Sequence, residues 1–236
     1  MMVPDALHDI SALYDPARAA VPVDVEADQW SWVLPFKTET SLSYVCWQRA
    51  IDIAFGLLGV VILLVLLPLL AVLIYLDSPG PIFYSQMRLG HGRKAFRMYK
   101  LRSMHCDAES GGCELWASAN DPRVTRIGRL LRATHMDELP QVVNILRGDM
   151  SLIGPRPERE AFATEMEKIE PLYRCRLAVK PGLTGWAQVM YGYGGLHQRE
   201  LQKLQYDLYY IMHCSCTLDM AIILRTVVEV VFCHGR

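Results

Sequence analysis

The chain has 236 residues, enough for one sizeable domain with appendages, and its formal net charge of −1 supplies no global field for nucleic acid. Its seven cysteines are irregularly spaced and contain no Cys-x-x-Cys pair, which argues against a secreted disulfide scaffold or a structural zinc site. Free thiols in a reducing cytoplasm are the expectation.

Residues 1–40 mix Asp, Ala, Pro and Val without a period and read as a largely irregular leader. They lack the apolar core of a signal peptide. Trp30, Trp32, Phe36, Tyr44 and Trp47 then gather where a chain approaches a membrane–water boundary. Ile53 to Leu76 follows, 24 residues without a charge, which as a helix would be about 36 Å long against a hydrocarbon core of about 30 Å. Pro68 lies inside it and would remove a helical hydrogen bond.

Charge flanks this block unevenly. Residues 78–102 carry six Lys or Arg and no acid, whereas residues 1–50 carry seven acids and three Lys or Arg. The positive-inside rule puts the C-terminal side in the cytoplasm. A simple span with the leader outside fits this bias and is favoured on physical grounds; Pro68 is the argument for a re-entrant hairpin.

Beyond the block, a turn at Asp77–Pro81 leads into short strands around Ile82–Tyr84 and Phe96–Tyr99, joined by a turn at Leu89–Gly92. After a loop over 106–122, a short helix over 123–133 carries Arg123, Arg126, Arg129 and Arg132 on a broad face. It suits anionic headgroups, and an ordinary solvated helix is the alternative. A second helix is expected from Asp137 to Arg147 with Gly148 as its cap, then further helices over 158–173 and 201–212. Lys180–Trp186 reads as loop, and 218–232 as an amphipathic interfacial helix too short and too charged to span.

Two constellations can carry chemistry. Pro140 is tolerated only in a first helical turn, so Asp137 and Glu138 sit at a helix start where both carboxylates can serve one site. Phosphate bound there would need a cation to offset them, which implies Mg²⁺; the bland alternative is a capping Asp followed by a first-turn Glu. In Pro155-Arg156-Pro157 two prolines stiffen the backbone around one guanidinium, which suits phosphate or base recognition as well as a surface turn. The basic run Arg97–Arg102, with Lys100, could neutralise phosphates or anchor at headgroups. No Walker loop and no Gly-x-Gly-x-x-Gly is present.

Seven blocks in order carry a further pattern: Ser78-Pro-Gly-Pro-Ile-Phe-Tyr, Tyr99-Lys-Leu-Arg-Ser-Met, Asn120-Asp-Pro-Arg-Val-Thr-Arg-Ile-Gly-Arg, Asp137-Glu-Leu-Pro-Gln, Gly148-Asp-Met-Ser-Leu-Ile-Gly-Pro-Arg-Pro-Glu, Val179-Lys-Pro-Gly-Leu-Thr-Gly-Trp-Ala-Gln and Lys203-Leu-Gln-Tyr-Asp-Leu-Tyr-Tyr-Ile. Over residues 45–235 the chain resembles the bacterial sugar transferases, the monotopic polyprenyl-phosphate phosphoglycosyl transferases.

The resemblance implies a mostly α fold with a small β element. The domain would be compact and monotopic, with a kinked re-entrant N-terminal helix and amphipathic interfacial helices. Residues 1–44 would be the leader, 45–77 the re-entrant membrane helix and 78–236 the catalytic domain on the cytoplasmic face of the inner membrane. The resemblance thus reverses the spanning expectation. The family's Ser-Pro break is Leu67-Pro68 here.

The implied reaction moves a sugar-1-phosphate from a UDP-sugar to undecaprenyl phosphate, releasing UMP, as the first step of exopolysaccharide or other glycoconjugate synthesis. Asp137 would be nucleophile and Mg²⁺ ligand, with Glu138 in support. Pro155, Arg156 and Pro157 would bind nucleotide or phosphate, and Lys100 and Arg102 would line the approach. Many relatives carry a Gly-Arg step after the Gly-Trp-Ala-Gln block; here the stretch reads Tyr191-Gly-Tyr-Gly-Gly-Leu-His, and Arg199 is the nearest later cation. Longer relatives also carry an N-terminal membrane domain, for which this chain is expected to have no room. Membrane lipids are expected contacts and nucleic acid is not; the donor sugar and the oligomeric state, a homo-oligomer included, stay open. The rival reading is a non-catalytic membrane-surface protein that binds lipid or a partner through its basic helix.

Overall fold

The computed structural model describes residues 41–106, 121–191 and 197–231. The leader over 1–40, most of the 106–122 loop and the residues that replace the Gly-Arg step lie outside them.

Helix α1, Leu42–Asp77, is capped at its start by the Ser41 hydroxyl, which accepts from the Ser43 N–H. Pro68 lies inside α1 without ending it, because the ring removes only its own N–H from the ladder and the chain continues helical to Asp77. Ile53, Leu57, Val61, Val65 and Val72 are exposed along one side of it. On the other side Gly56 and Gly59 are buried against the rest of the domain. Glycine is required there: a Cβ at Gly56 would sit 2.6 Å from Leu146 Cδ2, and one at Gly59 would sit 2.5 Å from Val142 Cγ1.

Both ends of α1 are tied to the same body. Near its start Arg49 donates to the carbonyls of Ile145 and Leu146 at 2.9 and 2.7 Å, and Asp52 accepts from Ser151 Oγ and the Leu152 N–H at 2.9 and 2.7 Å. At its far end, about 40 Å further along the axis, Asp77 accepts from the Ile127 N–H at 2.8 Å. Leu70 and Ile74 share a core with Leu101 and Leu131 there.

Strands β1, Phe83–Leu89, and β2, Ala95–Leu101, pair antiparallel from Phe83↔Leu101 to Leu89↔Ala95. Both are longer than the sequence pattern suggested. The ladder closes residues such as Ser85 and Gln86, whose side chains carry no strand signal of their own. Helix α2 runs over Arg126–Ala133, with the Thr125 hydroxyl accepting from the Gly128 N–H. Arg123 therefore lies outside it and is bound instead to Asp121, at 2.6 Å between guanidinium and carboxylate.

The second helix begins as a 3-10 turn, Met136–Gln141, and becomes α3 only over Val142–Arg147, because Pro140 lacks the N–H that an α-turn there would use. Gly148 ends α3 at φ 84°, as expected. Strand β3, Ser151–Ile153, pairs parallel with β4, Gly182–Thr184, inside the segment read as loop. Helix α4, Glu160–Ile169, is followed by a 3-10 stretch over Pro171–Ala178, which shortens the helix expected to 173. Helices α5, Trp186–Tyr191, α6, His197–His213, and α7, Cys216–Val231, complete the fold. Met220, Leu224, Val227 and Val228 are exposed on α7 while Ile222 and Ile223 are buried, so apolar side chains occupy its outer as well as its inner side, where a polar outer face was expected.

Candidate active site

The site grows from the way β2, the 3-10 turn and α3 are joined. Asn144 of α3 is fully buried and bridges to β2: its Nδ2 donates to the Arg97 carbonyl at 2.8 Å and its Oδ1 accepts from the Tyr99 N–H at 3.2 Å. This fixes Lys100, the next residue of β2, against the turn that carries the two acids.

That turn is entered through His135, whose backbone is left-handed at φ 56°, and Asp137 and Glu138 follow directly. Both are nearly enclosed, at 6% and 8% exposure. Their environments differ. Glu138 Oε1 accepts from Lys100 Nζ at 2.7 Å and from an Arg156 terminal nitrogen at 2.7 Å. The Asp137 carboxylate lies 4.0 Å from Lys100 Nζ and accepts no hydrogen bond among the described residues.

The titration of the pair follows. Burial alone would raise Glu138, but the Arg156 and Lys100 charges and their hydrogen bonds outweigh it and hold the carboxyl well below its ordinary range. Burial dominates at Asp137 and raises it; Lys100 opposes that rise and the neighbouring Glu138 charge adds to it. Glu138 is thus a fixed anion that anchors two cations, and Asp137 is the carboxylate left free to act.

The predicted residues divide. Asp137, Glu138, Lys100 and Arg156 come together. Pro155 and Pro157 shape the turn that presents Arg156. Arg102 is set differently: its guanidinium donates to the carbonyls of Ser78 and Pro79, at 3.3 Å to the latter, and to Cys106 Sγ at 2.7 Å. It closes the exit of α1, because β2 ends at Leu101 and the chain turns away before residue 102 can share the Lys100 face. Arg199 falls within α6, and its side chain lies outside the described residues. One group was missed: Arg132 at the end of α2, held by Ser103 Oγ at 2.9 Å, lowers Asp137 electrostatically. Its position five residues before the acid was the available signal, overshadowed by its place among the surface arginines.

No cluster of three or more His, Cys, Asp or Glu side chains that could hold a metal occurs among the described residues. Mg²⁺ would not need such a cluster, because it keeps several waters and uses one or two carboxylates plus substrate phosphates. Asp137, uncommitted to any hydrogen bond among those residues, is the fitting ligand.

The sequence matches the model of the bacterial sugar transferase family over residues 43–233. The chain belongs to the bacterial sugar transferases. It is 42% identical over 184 residues to an Aeromonas hydrophila protein named UDP-N-acetylgalactosamine-undecaprenyl-phosphate N-acetylgalactosaminephosphotransferase, a match covering 78% of this chain and 43% of that protein. A Caulobacter vibrioides UDP-glucose:undecaprenyl-phosphate glucose-1-phosphate transferase is 44% identical over 182 residues, 76% of this chain and 68% of its own length. An exopolysaccharide production protein of Rhizobium leguminosarum is 42% identical over 188 residues, 77% of this chain and 94% of its own. This bacterial sugar transferase thus spans less than half of the Aeromonas relative and nearly all of the Rhizobium one.

Proposed function

We propose that the chain is a phosphoglycosyl transferase that moves a sugar-1-phosphate from a UDP-sugar to undecaprenyl phosphate on the cytoplasmic face of the inner membrane, in exopolysaccharide or related glycoconjugate synthesis. The observation that carries this reading is a buried carboxylate free of hydrogen bonds among the described residues, beside an acid that clamps two cations, in a chain whose relatives bear such names. A surface anchor has no use for such an arrangement.

The chemistry runs in two steps. An Asp137 oxygen attacks the sugar-linked phosphorus, the bridging P–O bond breaks and UMP leaves with its electron pair. An oxygen of undecaprenyl phosphate then attacks the same phosphorus and releases Asp137. Lys100 and Arg156, placed by Glu138, face the charge that develops on the phosphoryl oxygens. Mg²⁺ held by Asp137 and the donor diphosphate would neutralise the substrate and polarise the leaving oxygen.

The membrane reading rests on α1. A 30 Å span would carry one end of the helix away from the body, yet Arg49 and Asp52 near one end and Asp77 at the other bind the same domain. This favours a helix that enters and stays on one leaflet, with the exposed apolar side of α1 and of α7 in lipid and the basic stretch after α1 at the cytoplasmic headgroups.

UMP release from a panel of UDP-sugars, with undecaprenyl phosphate and with or without excess EDTA, tests the reading. Release with at least one donor, dependent on acceptor for sustained turnover and lost in EDTA, is expected. No release with any donor would contradict the activity, and release unaffected by EDTA would contradict the metal.

A further inference from the structure

Two features of the fold play no part in the chemistry so far: the Lys203–Ile211 block of α6, and a buried arginine that the sequence patterns did not single out, Arg176. They meet behind the Pro155–Glu158 turn. With proline at 155 and 157, this turn has few N–H groups of its own, so it must be held largely through its carbonyls. Four successive carbonyls are taken. Pro155 accepts from the Gly182 N–H at 2.9 Å and Glu158 from the Leu89 N–H at 2.8 Å. Between them, the Arg156 carbonyl accepts from an Arg176 terminal nitrogen at 3.1 Å and the Pro157 carbonyl from Arg88 Nη1 at 3.2 Å.

The two guanidinium groups are themselves fixed. Arg176 Nε donates to Asp207 at 2.8 Å, and Asp207, the acid of the α6 block, is only 2% exposed. Arg176 also donates to the Tyr173 hydroxyl. Glu158 lies 3.6 Å from Arg88 and 3.8 Å from Arg176. A cavity of about 20 Å³ lies against the turn, bordered by Gly90, Glu167 and Leu177. Burying Arg176 and half-burying Arg88 is a costly way to stabilise a core, and Arg88 Nε has no partner among the described residues. What the pair does achieve is to fix the backbone from which the Arg156 side chain reaches Glu138.

We propose that Arg176, seated on Asp207, and Arg88 are positioning residues that hold the Pro155–Glu158 backbone so that the Arg156 guanidinium stays in the active site. This role rests on the assignment of Arg156 to that site. It gives the α6 block a reason: Asp207 orients Arg176, and Arg176 orients Arg156.

Double-mutant cycles on the full chain in membranes, read as UMP release, test the role. Arg176→Lys keeps the charge but not the fork that reaches both Asp207 and the Arg156 carbonyl; Arg88→Met and Asp207→Asn carry the experiment should the lysine variant fail to fold. Each single variant is expected to lose roughly 10- to 100-fold in kcat/KM, the scale of an ångström-sized misplacement. Each is also expected to change the same parameter, kcat or KM, that Arg156→Ala changes, which a merely structural loss would not reproduce. In an Arg156→Ala background each is expected to cost less than about twofold. Losses that multiply in that background, or singles with wild-type turnover while Arg156→Ala is crippled, would overturn the positioning role alone. Full turnover in Arg156→Ala would remove Arg156 from the site, and the proposal with it.

Discussion

Two regions of this molecule bury an aspartate, and they bury it in opposite ways. In the 3-10 turn, Asp137 sits beside Lys100 and a cation-clamping glutamate and accepts no hydrogen bond among the described residues. Where α1, α6 and α7 meet, Asp219 is fully buried with Tyr44 and Tyr210 donating to its two oxygens at 3.0 and 3.1 Å, and no Lys or Arg pairs with it among the described residues. Burial raises both carboxyls, Asp219 to about 6. Burial alone therefore does not mark a reactive acid. An acid whose lone pairs are spent on hydroxyls is a joint; one left open beside cations is available for bond formation or a metal.

The largest effect on this contrast is expected at Asp137. Asp137→Asn should bring UMP release to background while the melting temperature holds or rises, because the amide removes a buried charge that nothing neighbouring hydrogen-bonds among the described residues. Near-normal turnover would remove the contrast at its base. Glu138→Gln is expected to lose less activity, on the order of 100-fold, and to lower the melting temperature, since Lys100 and Arg156 would keep their charges without their shared anion. Unfolding by denaturant alongside turnover separates the two acids.

Lys100→Met should act on titration. Lys100 lowers Asp137, so its removal moves the acidic limb of kcat/KM to higher pH, measured as UMP release between about pH 4 and 8. A limb that stays in place would detach Lys100 from Asp137. The smallest effect on turnover is expected at Asp219→Asn, with activity within about twofold of the parent. Its signature is in stability. The folded carboxyl titrates near 6, above the ordinary 3.8, so its contribution is greatest below 3.8 and is lost as pH rises through 6. The parent should therefore lose stability over that window, and Asp219→Asn should show a flatter profile there.

Much of this was legible in the sequence. The charge-free run of α1, the Asp137-Glu138-Leu139-Pro140 start and the Pro-Arg-Pro turn announce themselves because proline and uninterrupted apolarity act locally. The dyad's partners were partly legible: Lys100 and Arg156 stood out as cations in stiff or basic settings. Arg102 stood out equally, but the change of chain direction after Leu101 turns it onto the Ser78 and Pro79 carbonyls. Arg132, Arg176 and Asp207 were hidden because what they do depends on elements far apart in sequence. The 31-residue separation of Arg176 and Asp207 leaves no periodic trace, and neither does the parallel pairing of β3 with β4.

Asp137 as the attacking group is tested most directly by incubating the full chain in membranes with a UDP-sugar labelled in its sugar-linked phosphate and with no lipid acceptor. Label is expected on the protein, confined to the peptide containing Asp137, absent from Asp137→Asn and discharged on adding undecaprenyl phosphate. An active enzyme that never carries the label, or carries it on another peptide, would contradict Asp137 as the nucleophile.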